Sequence, residues 1–241
     1  HNGRGTALAM LKRPQDALDA HDRAVALDPS SAAAHNNRGT ALAALDRPAE
    51  AAQAHDQALA LYPNLAMAHS NRGTALGLLG RMEEGLESLE RALAIQPNLI
   101  QAHINRGYFL IDLKRPDEAL ENFDHAIALN PDSADAHFGK AQALLTLGRY
   151  GEAWPAYEWR KRRVAPDTFH GGGRPQWSGQ EDIAGKILFI EAEQGLGDTI
   201  QFCRYAKLVA DRGARVILTV QPSLTGLLQT LDPRIEIASA P

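Results

Sequence analysis

The sequence predicts an all-α superhelical solenoid of stacked helix pairs, followed by a partial α/β doubly wound (Rossmann-like) domain. Three observations carry that prediction. Residues recur at a step of 34 through the first two thirds of the chain. Aromatics are only 6% of the 241 residues while alanine is abundant, a balance that suits close helix–helix packing better than a β-sandwich. After residue 185 the apolar pattern changes from a helical period to short strand-like runs. Hydrophobic residues at 44% and charged residues at 22% exclude wholesale disorder.

The repeat is read directly from the chain. His1, His35, His69, His103 and His137 are in phase, as are Arg4, Arg38, Arg72, Arg106 and Lys140. Gly5, Gly39, Gly73 and Gly107 keep the same step, and so do Pro29, Pro63, Pro97 and Pro131. Each unit reads as two helices, Ala34–Leu45 and Pro48–Leu61 in the second. Pro48 suits a first helical turn, where its missing N–H has no partner to lose, and Pro14 and Pro116 stand at equivalent places. Gly39 and Ala51 remove bulk where two helices must cross, and Leu42, Leu45, Leu59 and Leu61 are expected to supply much of the apolar stripe. No helix pair can bury that stripe alone, so the units must stack. The pattern decays after Ala153, where Trp154, Tyr157 and Trp159 enter and Arg160 stands at an alanine position. Trp154–Arg163 is therefore expected to be a capping helix, with the basic run 160–163 as a solvated helix end favoured by the dipole.

Small residues at Gly39, Ala51 and Ala58 with a closing Pro63 resemble the tetratricopeptide repeat, over roughly residues 1–160. The resemblance implies a superhelix whose first helices line a concave groove, and a protein or peptide as partner. Asn37, Asn71 and Asn105 recur once per unit, interrupted by Gly3 and Gly139 at the ends. This ladder is similar to that of O-GlcNAc transferase repeats, which implies a groove that holds peptide backbone. A carboxamide carries both donor and acceptor, so it can pair with any peptide unit. The alternative is that these asparagines bridge neighbouring helices.

The repeated histidines do not read as metal ligands. Successive repeats lie about 8–10 Å apart, whereas zinc wants ligands about 2.0–2.1 Å from one ion. They are expected to be packing residues, and Arg38, Arg72 and Arg106 to snorkel or to pair with acids of the next unit.

Residues 164–185 are rich in Gly and Pro and read as a linker, with Trp177 as an anchor against one of the domains. The domain boundaries expected are 1–163, 164–185 and 186–241. Beyond the linker, Lys186–Glu193 reads as a nearly continuous apolar strand, of the kind buried in a parallel sheet. Asp198–Arg212 reads as a helix, Arg215–Gln221 as a strand, Pro222 as the start of a second helix, and Arg234–Ala238 as a third strand. In the order 3-2-1 the first strand is an edge, apolar on both faces, that either the capping helix or a second copy of the chain would cover.

The loop Gln194, Gly195, Leu196, Gly197, Asp198 and Thr199 lies where such sheets bind ligands, and its glycines would let backbone N–H groups approach an anion. Ile200 replaces the third glycine of a dinucleotide fingerprint, and Gln221 stands where an acid would meet a ribose, so NAD binding is not expected. Glu193–Phe202, with Leu196-Gly197-Asp198, resembles the opening loop of heptosyltransferase-like glycosyltransferases. The resemblance implies Asp198 as a candidate general base. The residue alone reads equally well as a helix N-cap. It further implies a nucleotide-sugar donor for a longer parent protein but no cofactor held by this chain, since the donor half of such enzymes lies in a second doubly wound domain.

The first functional expectation is a protein-interaction module attached to a glycosyltransferase-like domain. The second is a fragment of a sugar-nucleotide-dependent glycosyltransferase whose repeats recruit the acceptor. A net charge of −4 argues against nucleic acid as a general partner. The lone Cys203 suggests a cytoplasmic setting, and no apolar run is long enough to span a membrane.

Overall fold

The computed structural model describes residues 1–163, 175–193 and 195–239. They fall into two compact units divided near residue 170. Among the described residues, no helix is long and apolar enough to cross a membrane.

The first unit is a succession of helix pairs: α1 (Asn2–Met10) with α2 (Pro14–Leu27), α3 (Ala32–Ala44) with α4 (Pro48–Leu61), and α5 (Ala66–Leu78) with α6 (Met82–Ile95). They are followed by α7 (Ile100–Asp112) with α8 (Pro116–Leu129), and α9 (Ala134–Thr146) with α10 (Tyr150–Tyr157). Each second helix packs on its own partner and on the first helix of the next pair. Successive first helices also pack on one another, so they form the inner wall of the stack.

Local chemistry sets the turns. α2, α4 and α8 begin at proline. The arginine just before the second helix forms a fork onto an acid in its first turn. Arg47 Nε and Nη2 donate to the two Glu50 oxygens at 2.7 Å, and Arg81–Glu84, Arg115–Glu118 and Arg149–Glu152 repeat the arrangement. That acid also faces the positive end of the helix dipole. Between the two helices of a pair the chain passes through the left-handed region once, at Lys12 (φ 56°), Asp46 (57°), Gly80 (75°), Lys114 (62°) and Gly148 (73°). The next N–H then reaches back to close the first helix, as Arg47 N–H does to Leu42 O at 3.0 Å.

The core departs from the expected leucine stripe. Leu42 is fully buried, but Leu45 and Leu59 are half-buried and Leu61 is 44% exposed. Alanines replace them: Ala34, Ala51, Ala54 and Ala58 are buried in one repeat. Small side chains bring the helix axes close, which leaves no room for the longer ones between them.

The expected capping helix is instead the second half of the fifth pair. α10 stops at Tyr157 and continues as a 3₁₀ turn, Glu158–Arg162. Pro155 lies inside α10 and has no N–H for the Gly151 carbonyl, which loosens the helix just before that change. The basic run is not a bare solvated end. Arg160 and Lys161 pair with Glu158, Arg162 with Asp132, and Arg163 with Asp135. Trp159 stacks on His137 at 3.8 Å between ring centroids, and the Arg162 guanidinium lies 4.2 Å from the Trp159 centroid.

The second unit is a three-stranded parallel sheet, β1 (Ile187–Glu191), β2 (Arg215–Val220) and β3 (Ile235–Ser239), in the order β1-β2-β3. Phe189 pairs with Ile217 and Ile217 with Glu236. Val216, Leu218, Val220 and Ile235 are buried with Ala206, Val209 and Leu228 of the connecting helices. The other side chains of β2, at Arg215, Ile217 and Thr219, are exposed or half-buried. The same alternation holds in β1, where Ile187 and Phe189 are 53% and 44% exposed, so β1 is not the fully buried strand its composition predicts. The single helix expected over 198–212 is two, α11 (Leu196–Phe202) and α12 (Tyr205–Asp211), and α13 (Thr225–Leu228) follows a 3₁₀ turn at Pro222–Leu224. Trp177 belongs to this unit: it packs on the sheet's core, its Nε1–H donates to Glu181 O at 3.1 Å, and Arg212 covers its ring. The parallel order is compatible with a Rossmann-like beginning. Half of the expected linker, residues 164–174, lies outside the described residues.

The left-handed turn residues make a stability prediction. A non-glycine residue there costs about 1–2 kcal/mol, partly offset by the greater chain entropy that glycine loses on folding. Asp46→Gly should therefore raise the unfolding free energy by about 0.5–1 kcal/mol, and Gly80→Ala should lower it by a similar amount. Urea titrations followed by circular dichroism measure both. Equal midpoints for all three chains would refute the assignment of strain.

Candidate peptide groove

The inner wall of the stack is built from the first helices, and each glycine of the 34-residue ladder marks where a second helix crosses. A methyl group on Gly39 would come within 2.6 Å of the His55 ring, on Gly5 within 2.5 Å of His21, on Gly73 within 2.9 Å of Leu89, and on Gly107 within 2.6 Å of Phe123. The bulky residue sixteen positions after each glycine therefore sits directly on its Cα.

His21 and His55, which pattern reading overlooked, have a second tie. His21 Nδ1 lies 2.9 Å from Asn2 Oδ1, and His55 Nδ1 lies 3.1 Å from Asn36 Oδ1. An amide oxygen only accepts, so Nδ1 carries the proton. The signal was present within the chain. Where the bulky residue is His, its partner position holds Asn2 or Asn36; where it is Leu89 or Phe123, that position holds Ser70 or Ile104.

The predicted asparagine ladder is joined to the same network. Asn37 Nδ2 donates to Asn2 Oδ1 at 3.0 Å, Asn71 Nδ2 to Asn36 Oδ1 at 3.2 Å and Thr40 Oγ1 at 3.3 Å, and Asn105 Nδ2 to Thr74 Oγ1 at 2.7 Å. Each rung thus binds the repeat before it, which is the bridging role. The bridging leaves Oδ1 of Asn37 and Asn71 without a partner among the described residues, on half-buried side chains of the inner wall. Asn105 Oδ1 accepts from Gln101 at 2.8 Å.

The other ladders are structural. Nε2 of His35, His69, His103 and His137 lies 2.8–3.0 Å from the carbonyl of Pro29, Pro63, Pro97 and Pro131, pinning each first helix to the preceding turn. No group of three or more His, Cys, Asp or Glu side chains among the described residues is placed to share a metal ion. The basic ladder pairs with acids, but of the preceding unit rather than the next: Arg38–Asp22, Arg72–Asp56 and Lys140–Asp124 at 2.6 Å and Arg106–Glu90 at 3.1 Å. Such partly exposed pairs contribute about 0.2–1 kcal/mol each, so their main effect is to keep neighbouring units in register. The paired acids all lie on second helices, and α1, α3 and α5 contain no acidic residue.

In the second unit, α11 begins with Gly195 as its N-cap, so Asp198 is the third helical residue and not the cap. Its carboxylate is half-exposed. The buried Thr199 hydroxyl lies 3.2 Å from Gly195 O and 3.0 Å from Gln221 Oε1, which ties the loop to the end of β2. Gly197 is exposed and Gln194 lies outside the described residues.

Burial makes the histidines acid-sensitive. Desolvation pushes His55 down to about 4, against a smaller opposing pull from Asp56, and pushes His21 down as well. The unfolded chain takes up the proton near the ordinary value of 6.5 while the folded chain resists it. This stabilisation is complete above that value and is lost as pH falls towards 4, by about 3 kcal/mol for His55. His55→Leu, which copies Leu89, should flatten this part of the pH dependence. In thermal melts between pH 7 and pH 4 the native chain should lose more stability towards the acid end than the variant does. Parallel curves would sink the assignment.

Comparison with known proteins agrees with the geometry. A tetratricopeptide repeat family model matches residues 2–66, 37–100 and 105–158. Protein FlbA of Caulobacter vibrioides is 34% identical over 94 residues, which is 37% of this chain and 15% of that protein, so the chain spans only a small part of its relative. Among solved structures, a thermophilic tetratricopeptide repeat protein of Thermus thermophilus, TTC0263, superposes with TM-score 0.59 at 22% identity, over 68% of this chain and 89% of that one. MamA gives 0.57 at 18% identity, over 66% and 97%. YrrB, a tetratricopeptide repeat protein with an unusual peptide-binding site, gives 0.54 at 23% identity, over 69% and 85%. At these identities the structures speak for the fold alone. With the matched segments running from residue 2 to residue 158, over paired helices that keep the 34-residue register, the chain belongs to the tetratricopeptide repeat family.

Proposed function

We propose that the helical unit is a protein-interaction module whose inner wall binds an extended peptide segment of a partner protein. Tetratricopeptide repeat proteins generally mediate protein–protein interactions. The observation that carries the reading here is the orientation of Asn37 and Asn71. The preceding repeat holds each amide nitrogen, and the amide oxygen is left to accept a backbone N–H. The peptide-binding site ascribed to YrrB goes in the same direction. A cytoplasmic setting, suggested by the lone Cys203, is part of this reading.

For the second unit we propose the opening of a glycosyltransferase-like domain, with the repeats recruiting its acceptor. The support is the parallel β1-β2-β3 order and the placement of Gly195–Thr199 directly after the carboxyl end of β1. Asp198 is then the candidate base, Gly195, Gly197 and Thr199 the candidate anion loop, and a nucleotide sugar the donor for a longer parent protein. Self-association through β1, the sheet's edge among the described residues, is the competing use of that unit.

Two measurements test these readings. Asn71→Ala with Asn105→Ala should weaken binding to a positive spot of a peptide array by about tenfold, the value of one or two hydrogen bonds, while far-ultraviolet circular dichroism is retained. Unchanged binding in the folded double variant refutes the groove. For the second unit, the parent protein should transfer sugar from a nucleotide-sugar donor, and Asp198→Asn should reduce kcat by about 100-fold or more. A parent protein with full activity in that variant removes Asp198 from the reaction.

A further inference from the structure

The wall between the first two repeats is hollow. A cavity of about 490 Å³ lies between α1 and α3 with α2 beneath it. Ala9, Ala41, Ala44 and Pro14 provide its apolar lining, with Thr6, Lys12, His21, Asn37 and Thr40 completing it. Larger residues stand at the corresponding positions of later junctions. Leu78 stands where Ala44 does, one repeat on, and two repeats on Tyr108 and Phe109 stand where Thr40 and Ala41 do. The Phe109 ring there presses on Gly77 and Gly85 so closely that neither could carry a methyl group. The chain itself thus fills the equivalent crevice with a phenylalanine at one junction and leaves it open at another.

The charge around the opening is one-sided. α1, α3 and α5 carry no acid, and of the aspartates of α2, none of which lines the cavity, Asp16 and Asp22 are already paired with Arg13 and Arg38. Lys12 is exposed in the turn between α1 and α2 and makes no ion pair among the described residues. Most of the cavity's exposed lining surface is apolar, which favours an apolar occupant.

We infer that this cavity is the anchoring subsite of the groove, and that its occupant is a phenylalanine-sized apolar side chain of an acidic, extended peptide. The inference rests on the groove reading and names the partner's chemistry. Asn37, at the edge of the cavity, is the ladder rung that would hold the peptide backbone beside the anchor. Lys12 would face a carboxylate next to it.

The test uses the whole chain and three fluorescein-labelled peptides in fluorescence anisotropy: Gly-Ser-Asp-Asp-Phe-Asp-Asp-Ser-Gly, the same peptide with Ala for Phe, and the same with Lys for every Asp. The Phe peptide should bind about 10–100-fold more tightly than the Ala peptide, the effect of burying one large apolar side chain. The Lys peptide should bind most weakly. Ala44→Leu, and separately Ala41→Phe combined with Ala9→Gly and Ala17→Gly to copy Phe109, Gly77 and Gly85, should abolish the difference between the Phe and Ala peptides without altering the weak affinity for the Ala peptide. Each variant introduces a residue that the chain already carries one or two repeats later, and circular dichroism would confirm that both fold. Lys12→Glu should weaken both acidic peptides. Equal binding of Phe and Ala peptides, or a difference that survives both filling variants, overturns the subsite. If that happens while Asn71→Ala with Asn105→Ala still weakens every peptide, the groove stands and the subsite alone falls. If none of the three peptides binds, the subsite falls, and the peptide array decides the groove separately.

Discussion

The contact on which the helical unit depends is the close approach of a glycine on each first helix to a bulky side chain on the second. Gly5 under His21, Gly39 under His55, Gly73 under Leu89 and Gly107 under Phe123 are four versions of one joint. Because the ring or branched chain rests on a bare Cα, the two helix axes come close enough for alanines to form the rest of the core. That closeness explains why buried alanines outnumber buried leucines, and why the longer side chains of a repeat are pushed to its edges. Phe123 extends the joint further, since a methyl on Gly139 would also strike it, so one ring is wedged between α7, α8 and α9.

Polar groups then decide how one joint stacks on the next. In the first two repeats the bulky residue is a histidine, and burying it requires a partner for its N–H. The partner is an asparagine, and that asparagine also receives the rung of the following repeat. A requirement created inside one helix pair is therefore met in a way that fixes the next pair. In later repeats, with Leu89 and Phe123 in place of histidine, the requirement vanishes and Asn105 turns to Thr74 instead. The Arg–acid pairs and the histidine-to-proline bonds add the same register at the outer side and at the turns. The inner wall is left with amide oxygens, few charges and a hollow, which are the properties of a surface that receives a chain.

The second unit obeys a different constraint. Its strands are parallel, so each must be joined by a crossover, and those crossovers bring α12 and α13 onto one face of the sheet. The Arg234 guanidinium bonds both Asp211 at the end of α12 and Asp232 just before β3, which ties the first crossover to the start of the third strand. Those hydrogen bonds hold the Asp232 carboxyl well below the usual carboxylate range. The expected long helix is interrupted at Cys203–Arg204, where α11 ends and α12 begins, which an apolar run alone does not reveal.

The sequence by itself determined the helix pairs, their 34-residue register, the positions of the turns and the presence of a parallel β-α-β-α-β segment. These are local properties. Pro48 begins a helix and Gly80 ends one through the conformations of their own backbones, and apolar period depends on near neighbours alone. Only the tertiary structure decided what each ladder touches. Arg38 reaches Asp22 of the preceding repeat, Asn37 reaches Asn2, and Gly195, not Asp198, caps α11. The same holds for the hollow beside Ala44, where small residues distant in sequence face one another. A repeat makes every rung look alike along the chain. Which neighbour a rung meets, and whether space is left over, depends on how closely one pair of helices settles on the next.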